Sequence, residues 1–205
     1  MNPLSGTAGA NLAGAPEVPE WIRRASRGDA RAQERLVREQ WPRAEGLLRR
    51  MLGPRQDLED LLQTVFLETF RALPRYEGRS QLSTFVGGIS VRVAMRAMRT
   101  QRRSPARAPL PEHLAAPDRG PEHQAHAADL LRRVRELLAE LTEVKRCAFT
   151  LWALSGLSVP EIAELMEASV PATRSRIFYA QRELRALAND QPELQDLLGG
   201  NDGRA

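Results

Sequence analysis

Arginine side chains without neighbouring acids are the first chemically informative feature of this sequence. Between Gly78 and Pro111 there is no aspartate or glutamate. A guanidinium presents its N–H donors in a planar fork that suits phosphate oxygens and guanine edges. A basic stretch is often only a solvated face, but an acid-free series over successive helical turns favours a polyanion such as nucleic-acid phosphate. The arginines concerned are Arg79, Arg92, Arg96, Arg99, Arg102, Arg103 and Arg107.

A second basic surface is predicted near the C-terminus. Ser158 and Glu161 have the spacing of a capping box, so we expect a short helix from there to about Met166. Ser169 is placed to cap another helix after a short turn. Such a pair is typical of a helix-turn-helix, whose second helix enters the major groove, and Ala163 is small where the helices must approach. For the second helix we predict Val170, Thr173, Ile177, Ala180, Leu184 and Leu187 facing inward and Arg174, Phe178, Arg182 and Arg185 facing outward.

Acidic and metal-ligating residues raise the alternative of an enzyme. Asp57, Glu59 and Asp60 could serve a metal-dependent nuclease, but on one helical turn they point in different directions and no histidine or lysine is close in sequence. Their expected role is to stabilise a helix N-terminus. Of the three histidines, His113, His123 and His126, the last two could join Cys147 as metal ligands, but a closed zinc site would need a fourth ligand and a tighter frame. We expect no enzyme, metal site or cofactor.

The helix that begins at Asp57 positions the first basic surface. Its apolar residues recur at helical spacing, Pro74 ends it, and a loop around Gly78 follows. Ser80 is expected to cap the next helix, which carries the arginines opposite a single core face. The predicted core residues are Leu58, Leu61, Leu62, Val65, Phe66, Phe70 and Leu73 in the first helix and Leu82, Phe85, Val86, Ile89, Val93 and Ala97 in the second.

The chain divides into two helical parts. Closely spaced prolines separate them, and no strand alternation precedes residue 104. Near the start, Gly28 and Asp29 predict a helix stop and a cap, and Pro42 predicts an interruption of the helix that follows. We predict an all-α fold of two small helical domains that move independently, with a disordered arm at 1–20, a first domain at 21–104, a flexible linker at 105–125, a helix-turn-helix domain at 126–188 and a flexible tail at 189–205.

Composition excludes several classes of protein. With 205 residues and 42% hydrophobic content the chain can form globular cores. Lys145 is the only lysine among thirty basic residues, a bias that a GC-rich genome also produces. Cys147 is the only cysteine, so an intramolecular disulfide is impossible and a reducing compartment is expected. The sequence shows no secretion signal and no membrane-spanning segment, which predicts a cytoplasmic protein.

The sequence resembles the extracytoplasmic-function group of bacterial sigma-70 factors. The stretch DLEDLLQTVFL from Asp57 looks like the family segment that docks on the clamp helices of RNA polymerase. YEGRSQLSTF from Tyr76 resembles the part that reads and opens the minus-ten element. LSVPEIAELM from Leu157, followed by the helix after Ser169, resembles the minus-thirty-five reader. The resemblance implies core RNA polymerase, promoter DNA and an anti-sigma factor as partners.

The resemblance also implies site residues. Those expected to meet core polymerase are Asp57, Asp60, Gln63 and Thr64. Those expected at the minus-ten element are Tyr76, Arg79, Ser80, Thr84, Arg92, Arg96, Arg99 and Arg103. Those expected at the minus-thirty-five element are Pro171, Arg174, Ser175, Arg176, Phe178 and Arg182.

The chain departs from the family pattern at a few positions. Gly87 and Gly88 stand in an otherwise aromatic-rich part of the minus-ten reader, and each internal glycine costs a helix about 1 kcal/mol relative to alanine. Glu167 replaces the usual turn glycine, and Thr173 a usual apolar residue. A helix-turn-helix repressor or activator is the alternative function, and it would expect a palindromic operator.

Overall fold

The fold is described from a computed structural model, which describes residues 17–103 and 121–188. These residues contain α-helices and one 3-10 turn and no β-strand, so the predicted all-α fold is confirmed. The helices are α1 (Glu20–Ser26), α2 (Ala30–Leu52), α3 (Leu58–Ala72), α4 (Leu82–Arg103), α5 (Pro121–Glu140), α6 (Glu143–Ser155), α7 (Val159–Leu165) and α8 (Val170–Leu187), with the 3-10 turn Leu73–Arg75 after α3. None of the described helices is both long and apolar enough to cross a membrane.

The junction between α1 and α2 follows the sequence prediction. Gly28 takes a positive φ of 90° after α1, and the carboxylate of Asp29 accepts a hydrogen bond of 2.9 Å from the backbone N–H of Ala32. The predicted interruption at Pro42 is wrong, because α2 is continuous through it. Leu36 and Leu48, one on each side of the proline, are fully buried. Burial of both halves of the helix offsets the hydrogen bond that proline removes.

Helix α4 is the centre of the molecule. It packs against α2 and α3 on one side and against α6 and α7 on the other. Its segment from Val86 to Val91 is buried on every face, whereas the sequence pattern predicted one buried face. The hydroxyl of Ser90 lies within this segment and donates to the backbone carbonyl of Val86 at 2.9 Å. The helix begins at Leu82, one residue later than a cap at Ser80 would place it.

Of the C-terminal helices, α6 and α7 pack on α4, and α8 packs on α6 and α7. Helix α5 begins at Pro121, inside the segment assigned to the linker, and proline suits a first helical position because its missing N–H has no partner there. Thr142 precedes α6 as predicted, although its side chain makes no capping hydrogen bond, and Gly156 ends the helix in the left-handed conformation. The N-terminal arm to residue 16, the linker residues 104–120 and the tail from 189 lie outside the described residues.

The two halves are packed together in the structure, whereas the sequence predicted independent movement. Leu47 of α2 and Leu165 of α7 are both nearly fully buried and belong to one continuous apolar cluster. The contact is possible because α4 has glycines where α7 approaches it. The sequence predicted each half from its own helical pattern, and that pattern carries no information about contacts between the halves.

Candidate nucleic-acid interface

The helix-turn-helix is built by two caps and a strained turn. The predicted capping box is confirmed: the Ser158 hydroxyl accepts from the backbone N–H of Glu161, and the Glu161 carboxylate accepts from the backbone N–H of Ser158 at 2.8 Å. The Ser158 hydroxyl also donates to the Glu161 carboxylate at 2.6 Å, and this bond, together with the one from the Ser158 backbone N–H, holds the pKa of Glu161 below its usual range. Glu167 takes a positive φ of 50° in the turn, where the family usually has glycine. Ser169 then caps α8 by accepting from the backbone N–H of Ala172 at 3.3 Å.

The inner face of α8 is largely as predicted. Thr173, Ile177, Ala180 and Leu184 are buried, and Ala163 of α7 is buried where the two helices meet. The prediction is wrong for the ends of the helix, since Val170 is 37% and Leu187 46% exposed. Both lie at the limits of the surface that α6 and α7 cover. The buried residue at the C-terminal end is Ala188, directly after the helix.

The outer face of α8 is an exposed basic and aromatic surface. A groove of about 400 Å³ runs along it and is lined by Val170, Pro171, Arg174, Ser175, Phe178 and Tyr179. Phe178 is 58% and Tyr179 49% exposed, and their rings meet edge to face with centroids 5.5 Å apart. Arg182 continues this face one turn beyond Phe178. Among the described residues, no carboxylate forms an ion pair with Arg174 or Arg182.

Two residues of this surface differ from the prediction. Arg176 is half-buried, and its charge acts on the buried thiol of Cys147 in α6, so the structure does not bring it to the groove with Arg174. Tyr179 was not predicted to be functional, although the structure places it in the groove. The sequence signal for it was weak, since it follows Phe178 directly and lies off the stripe that Arg174 and Phe178 share.

The loop before α4 is held by Tyr76. Its hydroxyl donates a hydrogen bond of 2.6 Å to the backbone carbonyl of Ser80, and its ring lies 5.0 Å from that of Phe85. Burial raises the pKa of the Tyr76 phenol. Arg79 points outward, 84% exposed, and pairs with Glu77 at 2.5 Å. Thr84, in the first turn of α4, is half-buried close to this loop.

The arginines of α4 share one face but are not without acidic partners. Arg92 pairs with Glu167 of the helix-turn-helix turn, Arg96 pairs with Glu68 of α3, and the guanidinium of Arg99 lies 3.9 Å from the carboxylate of Glu143 in α6. The stretch is acid-free in sequence, yet neighbouring segments of the fold supply carboxylates. The side chain of Arg103 is outside the described residues.

Helix α3 presents a polar outer surface. Asp60 and Gln63 are exposed, and the hydroxyl of Thr64 donates to the backbone carbonyl of Asp60 at 2.8 Å. Asp57 makes no capping bond; it pairs with Arg55, which holds its pKa below the usual range. Leu67, 55% exposed, belongs to the same surface and was not predicted. Phe66, on the inner side, stacks in parallel on Trp41 of α2 with centroids 5.6 Å apart.

Of the residues considered for a metal site, Cys147 alone has a side chain that the structure describes. Cys147 is fully buried in α6, and burial raises its pKa to about 12. His113 and the side chains of His123 and His126 lie outside the described residues. Among the side chains that the structure describes, no group of histidine, cysteine, aspartate and glutamate is arranged to hold a metal ion.

Comparison with known proteins gives the family. Sigma-70 region 2 matches residues 36–104, and sigma-70 region 4 matches residues 131–184. The ECF RNA polymerase sigma-E factor of Haemophilus influenzae is 32% identical over 78% of this chain and 89% of that protein. The sigma-E factor of Escherichia coli K12 is 30% identical over 80% and 90%. The RNA polymerase sigma-H factor of Pseudomonas aeruginosa is 28% identical over 80% and 89%.

A solved structure has the same fold. The structure of CnrH in complex with the cytosolic domain of CnrY superimposes with a TM-score of 0.57 at 24% identity, over 84% of this chain and 97% of that one. The region matches follow the two surfaces described above, since region 2 contains α3 and α4 and region 4 contains α7 and most of α8. The chain therefore belongs to the sigma-70 family and is an RNA polymerase sigma factor of the extracytoplasmic-function group.

Proposed function

We propose that the two halves of this sigma factor divide promoter recognition between them. In this assignment residues 21–104 bind core polymerase and the minus-ten element, and residues 126–188 bind the minus-thirty-five element. The protein acts by binding and positioning, not as an enzyme, and it works in the cytoplasm, where its polymerase is. The observation that carries the proposal is that the described residues form a separate exposed surface on each element that the family uses.

The minus-thirty-five reader is the groove face of α8. Arg174 and Arg182 are exposed on the same side as Pro171 and Ser175, and no described carboxylate competes for the two guanidinium groups. Exposed arginines of a recognition helix reach guanine edges and phosphates, and an exposed aromatic ring such as Phe178 can contact a thymine methyl group. Arg176, turned away from the groove, is better placed to support the helix against α6.

The minus-ten reader is the loop from Tyr76 to Ser80 together with the start of α4. The Tyr76 hydrogen bond fixes the loop backbone, which leaves Arg79 projecting into solvent. A preformed loop beside aromatic rings can hold a base that has left the duplex stack, and it does so at a lower ordering cost than a mobile loop. Arg92, Arg96 and Arg99 follow along α4 and are suited to phosphate contacts.

Core polymerase is assigned to the outer surface of α3. The apolar side of this helix is committed to the core, so Asp60, Gln63 and the exposed Leu67 remain for a partner. A carboxylate that faces a basic partner affects orientation and association rate as well as affinity. Asp57, already paired with Arg55, is expected to contribute less than Asp60. An anti-sigma factor is proposed as a further partner from the family resemblance.

Core binding and transcription test the proposal together. Purified protein plus core enzyme is expected to start transcription from specific promoters, and Asp60→Arg or Gln63→Ala is expected to lower core affinity in a titration while circular dichroism stays unchanged. Glu34→Arg, the same charge change on an exposed position of α2, is the matched control and should bind normally. Failure of the wild-type protein to bind core, where another sigma factor binds, would favour the repressor alternative.

A further inference from the structure

Two departures from the family pattern meet in space at the contact between the halves. Gly87 and Gly88 lie in α4, Glu167 lies in the turn after α7, and the two segments are about 80 residues apart in sequence. Glycine inside a helix is unfavourable, and a positive φ is unfavourable for glutamate. The chain therefore accepts a local cost on each side of one interface, which calls for an explanation in terms of that interface.

The glycines allow a close approach of α7 to α4. A methyl group at Gly87 would lie 2.7 Å from Cδ2 of Leu165 and 3.6 Å from Cδ1 of Leu47. A methyl group at Gly88 would lie 3.4 Å from the backbone carbonyl oxygen of Leu165. Leu165 is 2% exposed, so its side chain fills the space that the glycines leave. A methyl group at Gly87 would displace the end of the Leu165 side chain and one at Gly88 would only touch the Leu165 carbonyl, whereas a larger side chain at Gly88 would push the last turn of α7 away from α4.

Ion pairs between the two halves accompany this apolar contact. Arg92, one turn after Gly88 on α4, pairs with the carboxylate of Glu167, which also lies 3.9 Å from the position of a Gly88 methyl group. Further along α4, Arg99 faces Glu143 of α6 at 3.9 Å. The Arg92 and Glu167 side chains are 42% and 69% exposed. Exposed pairs add little stability, so the apolar contact holds the halves together and the charges set their alignment.

The contact between the halves pairs arginines that the proposed function assigns to DNA. Arg92 and Arg99 are among the residues assigned to promoter phosphates, and in this arrangement carboxylates of the C-terminal half occupy their guanidinium groups. We propose that the Gly87, Gly88, Leu165 and Glu167 contact is an intramolecular latch that holds the free sigma factor closed and hides part of its α4 DNA surface. The inhibitory role of the latch rests on the proposed function, whereas the closed arrangement of the two halves does not depend on it.

Opening requires the halves to separate without breaking the chain. Residues 104–120 connect them, a length that can span tens of ångströms when extended. Core polymerase and promoter DNA would bind the protein with its halves separated. Such a partner shifts the population toward the open state, by an amount set by how much more tightly it binds the open state than the closed one. The apparent affinity of the free protein for DNA is then lowered in proportion to the fraction that is open.

The latch is tested by energy transfer in the full-length chain. Donor and acceptor dyes are attached at Arg31→Cys in α2 and Ala186→Cys in α8, both exposed, while the buried Cys147 stays unlabelled. Gly88→Leu places bulk against the α7 backbone, because the new Cβ would lie 3.4 Å from the carbonyl oxygen of Leu165. Glu167→Arg places a second guanidinium group beside that of Arg92, and it is the variant to use if Gly88→Leu does not fold. Glu164→Arg, exposed on the same helix, is the matched control.

The expected result is high transfer efficiency for the wild type and Glu164→Arg, and low efficiency for Gly88→Leu and Glu167→Arg. In parallel, a fluorescein-labelled oligothymidylate should bind the opened variants roughly threefold or more tightly than it binds Glu164→Arg. Equal transfer efficiency in all of the proteins would overturn the latch. Lower efficiency with unchanged oligonucleotide affinity would overturn its inhibitory role. An oligonucleotide that binds none of them would count against the proposed DNA surface and leave the closed state standing.

Discussion

The hydroxyl of Tyr76 donates a 2.6 Å hydrogen bond to the backbone carbonyl of Ser80 and closes the loop that precedes α4. Gly78, inside this loop, has a positive φ of 73°. The glycine allows this backbone conformation, and the Tyr76 hydrogen bond holds the loop in it. Ser80 was expected to act through its side chain as a helix cap. In the structure its backbone carbonyl is what matters, because that carbonyl fixes the loop in front of the helix.

Tyr76→Phe is expected to loosen the loop without disturbing the core. The ring and its contact with Phe85 remain, but a half-buried hydrogen bond is lost, which costs about 1 kcal/mol of unfolding free energy. Hydrogen exchange of residues 77–81 should accelerate, and the holoenzyme should open promoters more slowly. Tyr179→Phe removes the same hydroxyl from an exposed ring and should change neither the exchange nor the stability. Unchanged exchange in Tyr76→Phe would show that the ring alone holds the loop.

The capping box predicts a pH dependence. Its hydrogen bonds, from Ser158 first, lower the pKa of Glu161, so the ionised carboxylate is favoured in the folded state. The stabilisation is present above the ordinary glutamate pKa of 4.5 and is lost as the pH falls through the lower folded value. The stability difference between the wild type and Glu161→Gln should therefore shrink between about pH 5 and pH 3. Glu164→Gln, on the same helix, is the control, and urea unfolding across this range is the measurement.

The thiol of Cys147 is expected to be unreactive in the folded protein. It is fully buried, and burial raises its thiol pKa to about 12, so almost no thiolate is present near pH 8. A disulfide reagent should react with it only at the rate of unfolding and should react rapidly in urea. Arg31→Cys, on the exposed surface of α2, provides a thiol that reacts at once in the native state. Fast native reaction of Cys147 would mean that α6 opens locally.

Local signals in the sequence were sufficient to predict many of the helix ends. Ser158 and Glu161 predicted α7 because both partners of a capping box lie within one helical turn, and Gly28 with Asp29 predicted the α1–α2 junction for the same reason. Pro42 failed as a breaker because burial of Leu36 and Leu48 outweighs a purely local cost. The failure shows where local propensity gives way to tertiary packing.

The functional surfaces were predictable in part. The outer face of α8 followed from its period, although that period could not show that Arg176 turns away. The acid-free stretch of α4 suggested unpaired arginines, but Glu68 of α3, Glu143 of α6 and Glu167 of the turn after α7 form ion pairs with them. Gly87 and Gly88 looked like weaknesses of a helix. The close packing of Leu165 against them explains both glycines, and the sequence pattern of α4 gives no information about that contact.

Base reading and phosphate binding should separate between the two halves. In holoenzyme, Arg174→Ala is expected to weaken binding to the cognate upstream element by about 1–3 kcal/mol, because a bidentate base contact is lost. Arg99→Ala should weaken binding to all sequences similarly and flatten the salt dependence, because a phosphate contact is lost. Titrations of cognate and scrambled promoters at several salt concentrations distinguish the two effects. Equal sequence-dependent losses would contradict this division.

The aromatic pair on α8 gives the last prediction. Phe178 and Tyr179 are too exposed to support the fold, so replacing either by alanine should leave the unfolding free energy within about 0.5 kcal/mol of the wild type. Their rings line the groove beside Arg174, where apolar contact with a base is worth about 1 kcal/mol or more on binding. Each alanine variant should therefore weaken holoenzyme binding to the upstream element and relax its preference at one base pair. Leu154→Ala, a comparably exposed apolar residue on α6, should alter neither. If Tyr179→Ala binds and selects like the wild type while Phe178→Ala does not, only the ring of Phe178 reads DNA, and Tyr179 has no part in recognition.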